Sequence, residues 1–231
     1  MRTADGTTTA RVLTFDGLVD GREHLAIGLG DRAAPVVPAT AEPPLVRLHS
    51  ECLTGDVLGS RRCDCGPQLT EAVTRIEQAG GYLLYLRQEG RGIGLYAKLD
   101  AYVLQDSGLD TYDANVALGF GADQRDYTVA AQMLTALGVD RVALLGNNPA
   151  KGDQLAALGI DVAERVPTGV HLNEANARYL AAKADRGGHT LDLGSGGRQR
   201  RREAQRMHVV AEGLATSRSG AIGSPHDSQR P

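Results

Sequence analysis

A chain of 231 residues, 42% of them hydrophobic and 23% charged, is long enough to bury the core of one compact domain. No run approaches the ~18 apolar residues of a membrane helix, the polar first ten residues lack the apolar centre of a secretory leader, and three cysteines do not make a disulfide framework, so a cytoplasmic protein with reduced thiols and no membrane contact is expected. The net charge of −3 divides unevenly: residues 194–231 carry seven arginines against three acids, and the body is acidic, which argues against a broad nucleic-acid face.

Residues 11–18 and 24–30, either side of Asp20-Gly21, predict a β-hairpin. Residues 31–44 are rich in Pro and Ala and read as a loop, and 45–51 as a strand running into the cysteine segment. Leu69, Ala72, Val73 and Ile76 recur at helical spacing, predicting a helix over 67–78 that stops at Gly80-Gly81. Residues 82–86 read as a buried strand, and 94–107 as a helix with Leu95, Leu99, Tyr102, Val103 and Leu104 inward. The same grammar continues: helix 126–137 closed by Gly138, strand 141–145, helix 151–158 closed by Gly159, strand 160–166, and a last helix over 173–186. Helix–Gly–strand units of this kind predict an α/β fold, a layered sheet flanked by helices with an N-terminal β-hairpin region. Its domain would span 1–193, followed by a Gly-, Ser- and Arg-rich tail over 194–231 expected to be disordered, apart from a short helix near 198–214.

Chemistry concentrates in RLHSECLTGDVLGSRRCDCGPQ, residues 47–68. Zinc favours thiolate ligands, and Cys52, Cys63 and Cys65 leave a fourth tetrahedral position for a protein ligand or for water. No fourth cysteine exists, and strand alternation can aim His49 elsewhere, so the fourth position is read as open. Buried cysteines are commonly inert core, but Cys63 and Cys65 flank Asp64 and follow Arg61-Arg62, a polar setting that favours thiolate. Farther on, QEGRGIG places three glycines beside Arg87 and Arg91, a loop suited to close backbone approach to an anion such as phosphate. Lys151 follows NNPA at a helix start, where it would add to the helix dipole in holding phosphate.

HSECLTGD, RRCDCGPQL, RQEGRGIGL, LGFGADQRDY and NNPAK, in that order between about 11 and 193, resemble the GTP cyclohydrolase II family. The resemblance implies the first committed step of riboflavin synthesis. GTP loses formate and pyrophosphate to give a diamino-ribosylamino-pyrimidinone phosphate, with zinc at the cysteines, magnesium with the triphosphate, and a homodimer as the assembly. No dihydroxybutanone-phosphate synthase segment precedes the match, so a monofunctional form is expected. The family's nucleotide contacts fall here on Arg47, Leu48, His49, Ser50, Glu51, Gln68, Glu89, Gly90, Arg91, Thr111, Gly146 and Lys151. Glu51 is also a candidate for proton handling. The resemblance makes Asp123 a general base and Arg125 a nucleophile toward the α-phosphate. A guanidinium has no free lone pair, so a transition-state clamp stands beside that role, and Asp123 and Asp126 also suit helix capping. Tyr102 falls beside the guanine and favours complete deformylation.

This chain departs from the family in having Gly146 where threonine is usual, in its 167–173 segment, and in its arginine-rich tail. Gly146 leaves open a relative that keeps the formyl group. A non-enzymatic reading, a zinc-stabilised module binding RNA through residues 198–206, is disfavoured by an aromatic content of 4%.

Overall fold

The computed structural model describes residues 1–35, 42–121 and 123–185. The expectations for the tail, the helix near 198–214, the domain boundary and part of the 31–44 loop lie outside the described residues. The elements are β1 (Arg11–Leu13), β2 (Leu25–Leu29), β3 (Leu45–Ser50), α1 (Leu53–Asp56), α2 (Cys65–Ala79), β4 (Gly81–Leu86), α3 (Leu95–Asp106), α4 (Thr111–Ala117), α5 (Thr128–Ala136), β5 (Arg141–Leu145), α6 (Pro149–Ala157), β6 (Asp161–Val166) and α7 (Ala177–Asp185). The α/β reading is correct, with one six-stranded sheet in the order β1-β2-β4-β3-β5-β6. The hairpin forms as the antiparallel pair β1–β2, its first strand shorter than predicted. β2 joins β4 antiparallel, while β4, β3, β5 and β6 run parallel.

Alternation along the strands builds a core on each face of this sheet. Val46, Leu48, Leu84 and Leu86 point to one side, where Val129, Met133 and Leu134 of α5 and Leu155 of α6 cover them. Leu45, Leu83, Ala143 and Leu145 point to the other, against Ala72, Val73 and Ile76 of α2. Burying this apolar surface stabilises the fold at about 25 cal/mol per Å². Arg47 and His49 share the face of Leu45, so the period of two carries two buried polar side chains toward the α2 end of the sheet.

One helix corrects the sequence reading. Along α3, Leu99 and Val103 are exposed, as is Tyr96 at 83%, and Ala101 is the buried residue. Apolar residues surround this short helix, and a one-sided core takes only part of them. The structure adds α4, a short helix with no counterpart in the sequence reading; Asp110 caps it by accepting the Tyr112 and Asp113 amides.

Candidate active site

The parallel strands β3, β4 and β5 end at one edge of the sheet, where open α/β folds carry their sites. The segments beyond them, with α3, α4 and α7, wall a cleft. Cys52 follows β3, and Cys63 and Cys65 lead into α2, which brings the three Sγ atoms within 4.8 Å of one another. Among the described residues this is the one cluster of His, Cys, Asp or Glu so arranged. Zinc–sulfur bonds of about 2.3 Å at the tetrahedral angle place sulfurs ~3.8 Å apart, and Cys52 Sγ lies 3.7 Å from Cys63 Sγ. The donor set and its spacing therefore fit zinc. Gly55 presses on the trio: a Cβ there would lie 2.8 Å from Cys63 Sγ and 3.2 Å from Cys52 Sγ.

Hydrogen bonds from the Cys63 and Cys65 thiols hold the Cys52 pKa far down, aided by Lys98, whose Nζ lies 3.1 Å from Cys52 Sγ. That thiolate pushes Cys63 up to about 11 and Cys65 well above its ordinary value. Lys98 also donates to Glu89 Oε1 at 2.7 Å and Thr54 Oγ1 at 3.0 Å. His49 is aimed away from the thiols, as strand alternation allows. Burial keeps the ring neutral, and its Nε2 donates to Asp56 at 3.1 Å. Asp56 is a hub, accepting also the Tyr85 hydroxyl at 2.9 Å and the Cys52 amide at 3.0 Å.

Of the residues singled out from sequence, fifteen line the cleft: Arg47, His49, Ser50, Glu51, the three cysteines, Gln68, Glu89, Gly90, Arg91, Tyr102, Thr111, Arg125 and Lys151. Leu48, Asp123 and Gly146 do not line it. Leu48 is core, and only its carbonyl serves the site, accepting Lys151 Nζ at 2.6 Å. Asp123 holds Arg125 by a forked ion pair, with Oδ1 2.8 Å from Nε. Burial pulls Arg125 down, but this hydrogen bond outweighs it and keeps the guanidinium charged. A Cβ at Gly146 would lie 2.9 Å from Arg47 Nη1. Arg87 turns instead to Glu51 at 2.8 Å. Asp126 accepts the Thr128 amide at the start of α5, whereas Asp123 caps no helix.

The 88–94 loop bends as its glycines foretell. Gly90 and Arg91 are consecutive left-handed residues at φ 62° and 63°, and Arg91 is the only described non-glycine residue with positive φ. Its guanidinium lies 3.8 Å from the Tyr112 ring centroid. Lys151 is buried on α6 under the Asn148 cap. Burial, then the charges of Arg47 and Arg125, push its pKa well below the ordinary value.

Sequence reasoning missed several cleft residues, among them Lys98, Asn115, Asn147, Tyr179 and Lys183. A chain bound through Asp64 links two of the walls. Arg47 Nη2 donates to Gln68 Oε1 at 2.7 Å, Gln68 Nε2 to Asp64 Oδ2 at 2.6 Å, and Lys183 Nζ to Asp64 Oδ1 at 2.7 Å. In all, seven lysines and arginines line the cleft against two glutamates, so an acidic body concentrates positive potential at one place.

Comparison with known proteins adds a family to this geometry. Residues 1–167 match the family described as GTP cyclohydrolase II, and Tyr179 and Lys183 lie beyond that segment. The chain is 54% identical over 184 residues to the GTP cyclohydrolase-2 of Vibrio cholerae, covering 80% of this chain and 90% of the relative. The GTP cyclohydrolase-2 of Vibrio vulnificus is 53% identical over the same length. The riboflavin biosynthesis protein RibBA of Bacillus velezensis is also 53% identical, with 45% of its length covered. A matched segment of this extent, with the motifs gathered around one cationic cleft, identifies the chain as an enzyme of the GTP cyclohydrolase II family.

Proposed function

We propose that this enzyme hydrolyses GTP, opening the guanine imidazole ring with release of formate and pyrophosphate and leaving a diamino-ribosylamino-pyrimidinone phosphate, as the first step of riboflavin biosynthesis. The observation that carries the reading is the pairing in one cleft of a zinc-spaced thiol trio with a cluster of cations. When bound at Cys52, Cys63 and Cys65, zinc supplies Lewis acidity and lowers the pKa of coordinated water toward ~7.

The chain's own groups divide the remaining work. With the neighbouring thiols, Lys98 helps keep Cys52 ionised and ready to ligate. Tyr102, hydrogen-bonded to Thr54 at 2.9 Å, borders the thiol end, where the base enters. Arg91, Arg125 and Lys151 take the triphosphate with its magnesium. Arg47 is fixed by Gln68 and by the Leu145 carbonyl at 3.2 Å, so its guanidinium meets the nucleotide without a loss of rotamer freedom. Asp123 aligns Arg125, and a guanidinium held charged this way acts as a clamp on the phosphoryl group rather than as a nucleophile. Glu89 is engaged by Lys98 and by the Leu53 amide at 2.7 Å, so it shapes the cleft floor.

Among the described residues no helix is long and apolar enough to cross a membrane, and the reading places the enzyme in the cytoplasm. It places it there as a homodimer, for which the exposed Tyr96, Leu99 and Val103 of α3 offer an apolar face. The test is to incubate zinc-loaded protein with GTP and magnesium and to measure formate, pyrophosphate and product mass. Formate and pyrophosphate in equal amounts are expected. No ring opening by the metal-loaded protein would refute the proposal.

A further inference from the structure

The last described helix, α7, belongs to none of the motifs that carry the nucleotide reading, yet two of its side chains face the cleft. Tyr179 and Lys183 are four residues apart and therefore share one side of the helix. The rest of the helix surface is anchored around them, with Leu180, Ala181 and Ala182 buried. The approach to the helix is also fixed. Asn147, just beyond β5, exchanges two hydrogen bonds with the Thr168 backbone at 2.9 and 3.0 Å. Glu71 of α2 accepts the Gly169 amide and the His171 ring at 3.0 and 2.8 Å. The fully buried Asn176 closes the turn by donating to the His171 carbonyl.

At the cleft, Lys183 Nζ donates to Asp64, which sits between two of the cysteines and is fully buried. The same ammonium lies 4.6 Å from the Tyr179 ring centroid. Tyr179 lines the same cleft as Cys63 and Cys65 of the thiol trio and as Arg91 and Arg125 of the cation cluster. Its hydroxyl makes no hydrogen bond to any described residue. We propose that α7 completes the active site: Tyr179 contacts the bound nucleotide between its base and its phosphates, and Lys183 is the positioning residue that holds Tyr179 there through Asp64.

This inference rests on the GTP reading and is tested alongside it. Tyr179→Phe, which keeps the ring and removes the hydroxyl, is expected to weaken binding of a non-hydrolysable GTP analogue and to raise KM about tenfold. Zinc content by mass spectrometry and the melting temperature should stay at the parent's values. Lys183→Met should weaken analogue binding likewise by releasing the ring, while lowering the melting temperature because the buried Asp64 carboxylate loses its cation. Adding Tyr179→Phe to it should cost binding little more, because both act on one contact. A Tyr179→Phe enzyme that binds the analogue and turns over GTP like its parent would overturn the inference and leave the proposed function standing. Equal and additive losses in the two variants would also overturn it, since they would mark independent structural roles. A parent that neither binds nor opens GTP removes both.

Discussion

Gly55 offers the most discriminating perturbation of the thiol cluster. Its φ is not positive, so alanine suits the backbone, and replacing a helical glycine contributes about 1 kcal/mol of stability by itself. The new methyl group would, however, meet Cys63 Sγ at 2.8 Å, the Cys65 Cβ at 3.1 Å and Cys52 Sγ at 3.2 Å. Comfortable contacts begin at about 3.5 Å, so the sulfurs must spread by roughly 0.5 Å. Without an ion, such overpacking costs about 1–3 kcal/mol, leaving a net loss of at most ~2 kcal/mol and a folded protein. With an ion the spread has nowhere to go, because metal–ligand distances tolerate only about ±0.2 Å. Zinc affinity of Gly55→Ala should therefore fall about 100-fold, near 2.7 kcal/mol. A competition titration with a chromophoric chelator measures this, with circular dichroism reporting the fold. A folded variant binding zinc within threefold of the parent would refute the reasoning that the trio is sized for the ion.

Three further outcomes are expected. Lys151 is pushed far below its ordinary pKa by burial and by neighbouring cations; a bound triphosphate raises it again, so nucleotide binding takes up a proton and weakens as pH rises. Calorimetry in buffers of different ionisation enthalpy reads that uptake, which Lys151→Met should abolish. Tyr102→Met should leave a product that retains the formyl group, heavier by mass, and unchanged formate release would defeat the assignment. Gly146→Thr sets a side chain against Arg47 Nη1, and displacing that guanidinium from the Leu145 carbonyl should raise KM about three- to tenfold, with little change if Arg47 does not meet the nucleotide.

What the sequence makes legible follows from the range of each interaction. Gly80, Gly138 and Gly159 stop helices where expected because capping is local, and all three adopt positive φ. The thiol trio is readable because Cys52 and Cys63 stand only eleven positions apart and the chemistry of sulfur limits what they can do. The placement of β4 between β2 and β3 depends on the whole sheet and leaves no local trace. Nor does the Lys183–Asp64 pair, whose partners lie 119 residues apart. Lys98 was within reach: a lysine four residues before Tyr102, on the face that the helix turns toward the cysteines, is an odd occupant for a packing surface. The expected burial of Leu99 and Val103 failed because periodicity marks which residues share a face and cannot say whether that face meets this chain or another surface.

Asp56 has a consequence beyond geometry. Its carboxylate, 2% exposed, gathers His49, Tyr85 and the Cys52 amide, tying β3, β4 and the turn after Cys52 together with no help from sulfur. A zinc finger collapses when stripped of its ion, whereas this loop has its own fastening. Chelation should leave a silent but intact enzyme that regains activity when zinc is returned. In a cell short of zinc, such a protein would persist as a dormant stock rather than be lost to unfolding and proteolysis, and its output would follow metal supply within the time of a binding event.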